Sequence, residues 1–140
     1  MSLPPFHLAF AVDDLAQARR FYGELLQCEE GRSAADWVDF DFHGHQIVAH
    51  LVSGSARPGA GNKVDGEQVP VPHFGIVLSL DEWKALAGRL VEQGVDFVIP
   101  PTIRFEGQPG EQATMFLLDP AGNALEFKAM ASPGKLFASD

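Results

Sequence analysis

The stretch Phe6-His7-Leu8-Ala9-Phe10-Ala11-Val12 decides the fold, because its pattern recurs later at His73-Phe74-Gly75-Ile76-Val77-Leu78. In both stretches bulky apolar residues occupy every second position. The first of the residues that alternate with them is a histidine. Alternation with a period of two predicts a β-strand with two different faces. We therefore expect two equivalent strands, each presenting one histidine beside small side chains.

A helix signal follows each of these predicted strands. Asp14 can cap a helix whose apolar positions run at helical spacing as far as Leu26. In the second half, Ser79 and Glu82 have the spacing of a capping box, and Gly94 is typical of a helix end. Strand, then helix, is thus predicted twice.

Short strand-like runs come after each predicted helix, at residues 37–42 and 46–52 in the first half and at 95–99, 113–118 and 124–129 in the second. The segment Asp119–Asn123 has the Pro, Gly and Asn of a hairpin turn, with positive φ expected at Gly122 and Asn123. Each half therefore predicts a βαβββ module.

The domain plan has four parts: a first module at residues 5–52, a Gly- and Pro-rich connector loop at 53–70, a second module at 71–130 and a loosely held tail at 131–140. Neither module is large enough to bury a core alone, so the two must pair, either in one chain or across a dimer. We expect one globular α+β domain. Its paired modules should form a curved mixed sheet with a concave metal site.

Composition excludes several classes of partner. The 140 residues carry a formal net charge of −9, which argues against nucleic acid and anionic membranes. A single cysteine, Cys28, excludes an intrachain disulfide and fits a reducing, cytoplasmic compartment. No apolar run approaches the ~20 residues of a membrane span. A small molecule is the expected partner.

Three side chains on the small-residue face are candidate metal ligands. Glu126 alternates with bulky neighbours in its strand, so it shares the face of His7 and His73. A carboxylate is costly to bury among apolar residues unless it binds a cation. Two imidazoles and one carboxylate form a facial set that leaves positions open for substrate.

The fourth position of such a site is predicted to be apolar. Glu126 lies four residues after Gly122, and the residue four positions after Gly44 is Val48. If this alignment is shifted by one residue, Gln46 or His50 becomes a candidate for the fourth ligand position. If the reaction moves a proton, His50 and Glu106 are the candidate catalytic bases, with Glu111 as a further one. Each of these residues is equally compatible with an ordinary solvated side chain that has no role in catalysis.

Four stretches together resemble the vicinal oxygen chelate superfamily, which includes glyoxalase I, extradiol dioxygenases and the fosfomycin- and bleomycin-resistance proteins. They are residues 7–15 (HLAFAVDDL), 20–26 (RFYGELL), 72–75 (PHFG) and 116–127 (FLLDPAGNALEF). The resemblance implies paired βαβββ modules that form a cup, a metal on His7, His73 and Glu126, and a homodimer.

The resemblance also implies an enzyme that uses a divalent metal ion, with Fe²⁺ or Mn²⁺ favoured and Zn²⁺ or Ni²⁺ as alternatives. Its small substrate would chelate the metal through neighbouring oxygens in a dioxygenase-like reaction. A glyoxalase-type lyase or isomerase is one alternative, although Val48 stands where glyoxalase I usually has a further ligand. A non-catalytic, resistance-type binding protein is the other.

Overall fold

The computed structural model describes residues 3–55, 60–64 and 67–139, and these fall into two compact units. The first unit holds the described residues as far as Ser55, together with Asp119–Asn123, and the second holds the rest. Each unit is built on a four-stranded mixed sheet. The predicted α+β class with two modules is therefore confirmed.

The first unit contains β1, α1, β2, β3 and β4, at His7–Val12, Leu15–Ala18, Glu29–Ala34, Trp37–Phe42 and His45–Leu51. Its strands lie in the order β1-β4-β3-β2. The β1–β4 pair is parallel, and the other two pairs are antiparallel. In β1 the side chains alternate as the sequence predicted, with His7 exposed and Val12 buried at the end.

The first helix begins as predicted and then widens. Asp14 caps α1, because its Oδ1 accepts the main-chain N–H of Gln17 at 3.0 Å. A π-helix, Arg19–Leu25, follows directly, where the sequence predicted a regular helix. The wider winding buries the successive side chains of Phe21 and Tyr22.

The second unit contains β5, β6, β7, α2, β8, β9 and β10, at Ala60–Val64, Glu67–Val71, His73–Leu78, Leu80–Glu92, Phe97–Arg104, Gln112–Leu118 and Ala124–Met130. The four-stranded sheet has the order β7-β10-β9-β8, which repeats the topology of the first unit. The predicted capping box of Ser79 and Glu82 is present at the start of α2. Within the described residues, no helix has the length and apolar character needed to cross a membrane.

Four strands differ from the sequence prediction. β2 was not predicted, because all its side chains are exposed and show no apolar alternation. β5 and β6 form a two-stranded sheet inside the segment predicted to be a connector loop. β8 begins at Phe97 rather than Val95 and continues through Pro100 and Pro101. Prolines fit here because β8 is an edge strand with irregular pairing, so their missing N–H groups leave no ladder bond unmade.

Gly75 allows β7 and β10 to lie close together. A Cβ atom at this position would overlap the main-chain carbonyl of Glu126. The glycine predicted on the small-residue face is therefore a requirement of backbone packing, and it sets the separation of the two strands that carry His73 and Glu126.

A buried carboxylate organises the turn between β9 and β10. Oδ1 of Asp119 accepts the main-chain N–H groups of Ala121 and Asn123, at 2.9 and 2.8 Å. Its Oδ2 accepts the Tyr22 hydroxyl at 2.7 Å and the Asn123 side-chain amide at 2.9 Å. The same amide also donates to the carbonyl of Ala11. Gly122 has the expected positive φ, but Asn123 does not. Its side-chain amide instead links Asp119 to the main chain of Ala11.

Tyr22 is the central aromatic residue of the first unit. Its ring contacts those of Phe10, Phe21 and Phe40 at centroid distances of 5.3, 4.8 and 5.5 Å. Burial raises the pKa of the phenol well above its ordinary value of 10.0, and the charge and hydrogen bond of Asp119 raise it further. The folded protein therefore holds Tyr22 in its neutral form.

We predict that Tyr22, the only tyrosine in the chain, ionises in the folded protein only well above pH 10.0. Because the unfolded chain releases this proton near pH 10.0, the contribution of Tyr22 to stability is complete below that pH and falls as the pH rises above it. Phenolate absorbance measured against pH, with and without denaturant, tests the shift.

The matched variant is Tyr22→Phe, which removes the bond to Asp119 and should lower the free energy of unfolding by about 1.5–3 kcal/mol at neutral pH. Urea unfolding of both proteins from pH 8 to pH 11 should show a steeper alkaline loss in the unsubstituted protein. Identical alkaline slopes would contradict the prediction.

Candidate metal site

Two of the three predicted metal ligands lie together in the second unit. His73 opens β7 and Glu126 lies in β10, its parallel neighbour. Nε2 of His73 is 3.3 Å from Oε1 of Glu126. Both side chains are largely covered, with 29 % and 17 % of their side-chain surfaces exposed.

The hydrogen bonds around His73 determine which ring nitrogen carries the proton. Nδ1 is 2.7 Å from the main-chain oxygen of Pro70, which can only accept, so Nδ1 is the protonated nitrogen. Nε2 of His73 and Oε1 of Glu126 then face each other, and each atom presents a lone pair of electrons. A cation bound between them, either a second proton or a metal ion, turns this repulsion into attraction.

Glu126 is held in place by a buried hydroxyl. Thr114 is 1 % exposed, and its Oγ1 donates to Oε2 of Glu126 at 2.6 Å. One carboxylate oxygen is therefore fixed, and the other is directed at His73. An oriented carboxylate of this kind is what a metal ligand needs.

The strand pair β5–β6 supports the imidazole of His73. Val69 of β6 packs in one apolar cluster with Ile99 and Phe116. The ring of Phe116 meets that of His73 edge-on, with centroids 5.0 Å apart. Pro70, the next residue of β6, supplies the carbonyl that accepts from Nδ1. A segment predicted to be a loop thus positions a candidate ligand.

His7 lies in the first unit and is oriented by side chains. Its Nδ1 is 2.7 Å from Oε1 of Gln46, and Nε2 of Gln46 donates to Oδ2 of Asp39 at 3.1 Å. Because Asp39 needs a donor, the amide oxygen of Gln46 faces His7, and Nδ1 carries the ring proton. His7 therefore has the same tautomer as His73, with Nε2 left as the ligating nitrogen.

The registers of the two sheets define the fourth position. Glu126 stands two residues beyond the residue opposite His73. Val48 stands two residues beyond the residue opposite His7, so it occupies the corresponding place in the first unit. Val48 is buried, and the alternative of a one-residue slip is removed. The counterpart of Glu126 in the first sheet is therefore apolar, as the spacing from the turn glycines predicted, and its place in a metal site stays a prediction.

A cavity of about 210 Å³ adjoins the His73–Glu126 pair. Besides these two, its lining consists of β7 residues and Lys128, which follows Glu126 on the same face of β10. A space of this size accommodates a small molecule or part of one.

The candidate bases His50 and Glu106 are both exposed, each within its own unit. His50 is exposed near the end of β4, opposite Ala11 in the first unit. Glu106 is exposed in the loop after β8, and the described lining of the cavity does not include it. Across residues 3–55, 60–64 and 67–139, no three His, Cys, Asp or Glu side chains form a group that could hold a metal ion. The meeting of His7 with His73 and Glu126 stays a prediction, as do the catalytic roles of His50 and Glu106.

Sequence reasoning missed the residues that orient the candidate ligands, namely Thr114, Gln46, Asp39 and the carbonyl of Pro70. Gln46 and Thr114 were detectable in principle, since each lies on a strand neighbouring a candidate ligand. The Pro70 carbonyl carried no signal, because any residue has one.

The chain belongs to the glyoxalase/bleomycin resistance protein/dioxygenase superfamily, whose family model matches residues 5–127. It is similar to a crystal structure described as a glyoxalase/bleomycin resistance protein/dioxygenase from Alicyclobacillus acidocaldarius. The two are 32 % identical, the match covers 96 % of each chain, and the TM-score is 0.77. No curated protein matches the chain significantly.

Two more distant structures share the fold. One is a genomically encoded fosfomycin resistance protein from Listeria monocytogenes, 20 % identical, covering 97 % of this chain and 100 % of its own, with a TM-score of 0.68. The other is a lactoylglutathione lyase from Agrobacterium tumefaciens, 19 % identical, covering 96 % of each chain, with a TM-score of 0.64. The superfamily resemblance inferred from the sequence motifs is therefore confirmed.

We predict that His7 and His73 are both protonated at Nδ1 when neutral, and that only His7 depends on Gln46 for this. Gln46→Leu removes the acceptor, so the His7 ring should exchange between tautomers while His73 is unchanged. Nitrogen-15 NMR of the imidazoles distinguishes the two tautomers, and His73 serves as a control in the same spectrum. An unaltered His7 signal in the variant would show that Gln46 does not orient this ring.

Proposed function

We propose that the protein is a divalent-metal-dependent enzyme whose metal is held by His7, His73 and Glu126. The observation that carries the proposal is the approach of His73 Nε2 to Glu126 Oε1, each fixed from behind by its own hydrogen bond. Two imidazole nitrogens and one carboxylate oxygen suit Fe²⁺ or Mn²⁺, and also Zn²⁺ or Ni²⁺. Such an ion supplies Lewis-acid stabilisation of negative charge on neighbouring substrate oxygens and, as Fe²⁺ or Mn²⁺, chemistry with dioxygen.

The chain's own residues would hold and shape this site. His73 and Glu126 present two ligands from adjacent strands, and Val48 leaves the corresponding fourth position without a donor. A three-ligand set leaves room for a small substrate that binds through two neighbouring oxygens. The cavity beside the pair provides space for that substrate.

A dioxygenase-like reaction is favoured over a glyoxalase-type isomerisation. Isomerisation needs a protein base that moves a proton between substrate carbons. Apart from the two proposed ligands, Lys128 is the titratable side chain in the described lining of the cavity. In this proposal the candidate bases His50 and Glu106 assist proton transfer only in the isomerase alternative.

The proposal requires His7 to join the other two ligands. We propose that the protein is a homodimer, and that His7 reaches the other two ligands either within one chain or from a second copy. The partner molecule is otherwise a small-molecule substrate. The net charge of −9 argues against nucleic acid and anionic membranes as partners, and we expect the protein in the cytoplasm.

We predict that the protein binds Mn²⁺ and that His7→Ala, His73→Ala and Glu126→Gln each abolish tight binding. Thr114→Val should weaken binding by about 10–100-fold, as expected for loss of a residue that orients a ligand. Glu92→Gln, an exposed change of the same charge at the end of α2, is the matched control. Calorimetric titration with Mn²⁺ is the measurement, and unchanged affinity in Glu126→Gln would overturn its ligand role.

Mixing two defective proteins tests the origin of His7. If a second copy supplies it, a mixture of His7→Ala and Glu126→Gln chains contains one intact site per mixed dimer, and Mn²⁺ binding returns. If all ligands come from one chain, the mixture stays defective after exchange of subunits.

The reaction is tested on protein loaded with Fe²⁺ without oxygen. We predict oxygen uptake in proportion to the loss of a catechol-type substrate, and no uptake by Glu126→Gln. Turnover of a hemithioacetal with Ni²⁺ or Zn²⁺, without oxygen uptake on catechols, would replace this proposal with the isomerase. Ligand binding without any turnover would indicate a sequestering protein.

A further inference from the structure

A second cavity, of about 240 Å³, lies in the same unit as the His73–Glu126 pair. Its described lining combines the loop after β8 (residues 105–111), the strands β9 and β10, and the tail. Because benzene fits an apolar cavity of about 150 Å³, a space of this size holds a ring or a short alkyl chain. The residues that the loop and the tail contribute to this lining are mostly apolar, namely Phe105, Pro109, Gly110, Leu136 and Ala138, with Lys135 as the charged member.

The second cavity lies along the same sheet face as Glu126. Its lining includes Lys128 and Met130 from β10, and alternate residues of a strand share a face. At about 3.3 Å per residue, Lys128 is roughly 7 Å and Met130 roughly 13 Å along the strand from Glu126. Lys128 also lines the cavity beside the His73–Glu126 pair. A molecule longer than a single ring can therefore extend from the first cavity into the second.

The side chain of Glu111 fixes the shape of the loop after β8. Its Oε1 accepts the main-chain N–H of Gly107 at 2.8 Å, which closes the loop on itself. In the same loop the N–H of Gln108 donates to the carbonyl of Phe105 at 3.0 Å. Phe105 has a φ of 56°, a left-handed conformation that a bulky residue keeps only where the surrounding structure imposes it. The place of Phe105 on the cavity wall therefore depends on the hydrogen bonds of this loop.

The main chain of Glu111 joins this loop to the tail. Its carbonyl accepts the N–H of Ala131 at 3.0 Å, one step beyond the Gln112–Met130 pair at the end of the β9–β10 ladder. A short 3₁₀-helix, Pro133–Lys135, follows and packs against β10. Glu111 thus bonds to both segments that wall the second cavity, although the described lining does not include Glu111 itself.

We propose that the loop after β8 and the tail enclose the end of the substrate distal to its metal-chelating oxygens, and that Glu111 is the positioning residue that holds these two walls together. The substrate is then a small chelating molecule that carries an apolar substituent. The chelating part of this inference rests on the proposed function. The walls do not, because the bonds of Glu111 form without a metal.

The first experiment measures amide hydrogen exchange in metal-free protein by NMR. Glu111→Ala removes the acceptor of the Gly107 N–H, whereas Glu111→Gln keeps an oxygen there. We expect about tenfold faster exchange at Gly107 in Glu111→Ala only. Ala131 donates to a main-chain carbonyl that neither substitution removes, so faster exchange there in Glu111→Ala shows that the side chain holds the tail through the loop. Unchanged exchange at Ala131 would overturn the positioning role.

The second experiment adds catechol and 4-butylcatechol separately to the metal-free protein and follows the amide signals of Phe105 and Leu136. We expect 4-butylcatechol to shift both signals and catechol to shift neither. The shifts should need about tenfold more ligand in Glu111→Ala, and no more in Glu111→Gln or in Glu92→Ala, an exposed change of the same charge at the end of α2. Absence of shifts with 4-butylcatechol, or equal weakening by Glu92→Ala, would overturn the inference.

Protein loaded with Fe²⁺ separates this inference from the proposed function. We expect a lower KM for 4-butylcatechol than for catechol, and loss of that preference in Glu111→Ala but not in Glu111→Gln or Glu92→Ala. Shifts at Phe105 and Leu136 without turnover of either catechol would uphold the walls and reject the proposed reaction. Turnover with equal KM values and no shifts would uphold the reaction and reject the walls.

Discussion

The buried carboxylate of Asp119 is the constraint on which the rest of the structure depends. A charged group without solvent is stable only when its oxygens are satisfied, and here four hydrogen bonds reach them from Tyr22, Ala121 and Asn123. These bonds fix the path of the turn that ends at Asn123. β10 begins at the next residue, so this turn determines where in the chain the strand that carries Glu126 starts.

From that turn onward, the candidate site depends on strand pairing. Gly75 admits the close approach of β7 to β10, and the parallel register then brings His73 and Glu126 onto one face. Thr114, from the antiparallel side of β10, orients the carboxylate. Each strand contributes one residue to the candidate site. The arrangement of these residues therefore depends on the register in which the strands pair.

Sequence patterns predicted the strands and helix starts that depend on apolar alternation and capping. They missed the features that depend on which strands pair with each other. The strands of His7 and Glu126, the capping box at Ser79 and the apolar fourth position at Val48 all follow from local periodicity or spacing. The exposed strand β2 has no apolar alternation to reveal it, and glycine and proline concealed the strand pair β5–β6. The hydrogen bonds of Gln46 and Thr114 follow from strand pairing and not from local periodicity, so they are found only once the strands beside each candidate ligand are identified.

The two candidate histidines are oriented by unlike means, and this has a consequence for divergence. His7 depends on the side chains of Gln46 and Asp39, whereas His73 depends on a main-chain carbonyl within a strand pair. Single substitutions of Gln46 or Asp39 can therefore change or abolish the orientation of the His7 imidazole. The bond that sets the tautomer of His73 comes from a main-chain carbonyl, so no single side-chain replacement removes its acceptor, and descendants of this protein should more readily change the orientation of His7.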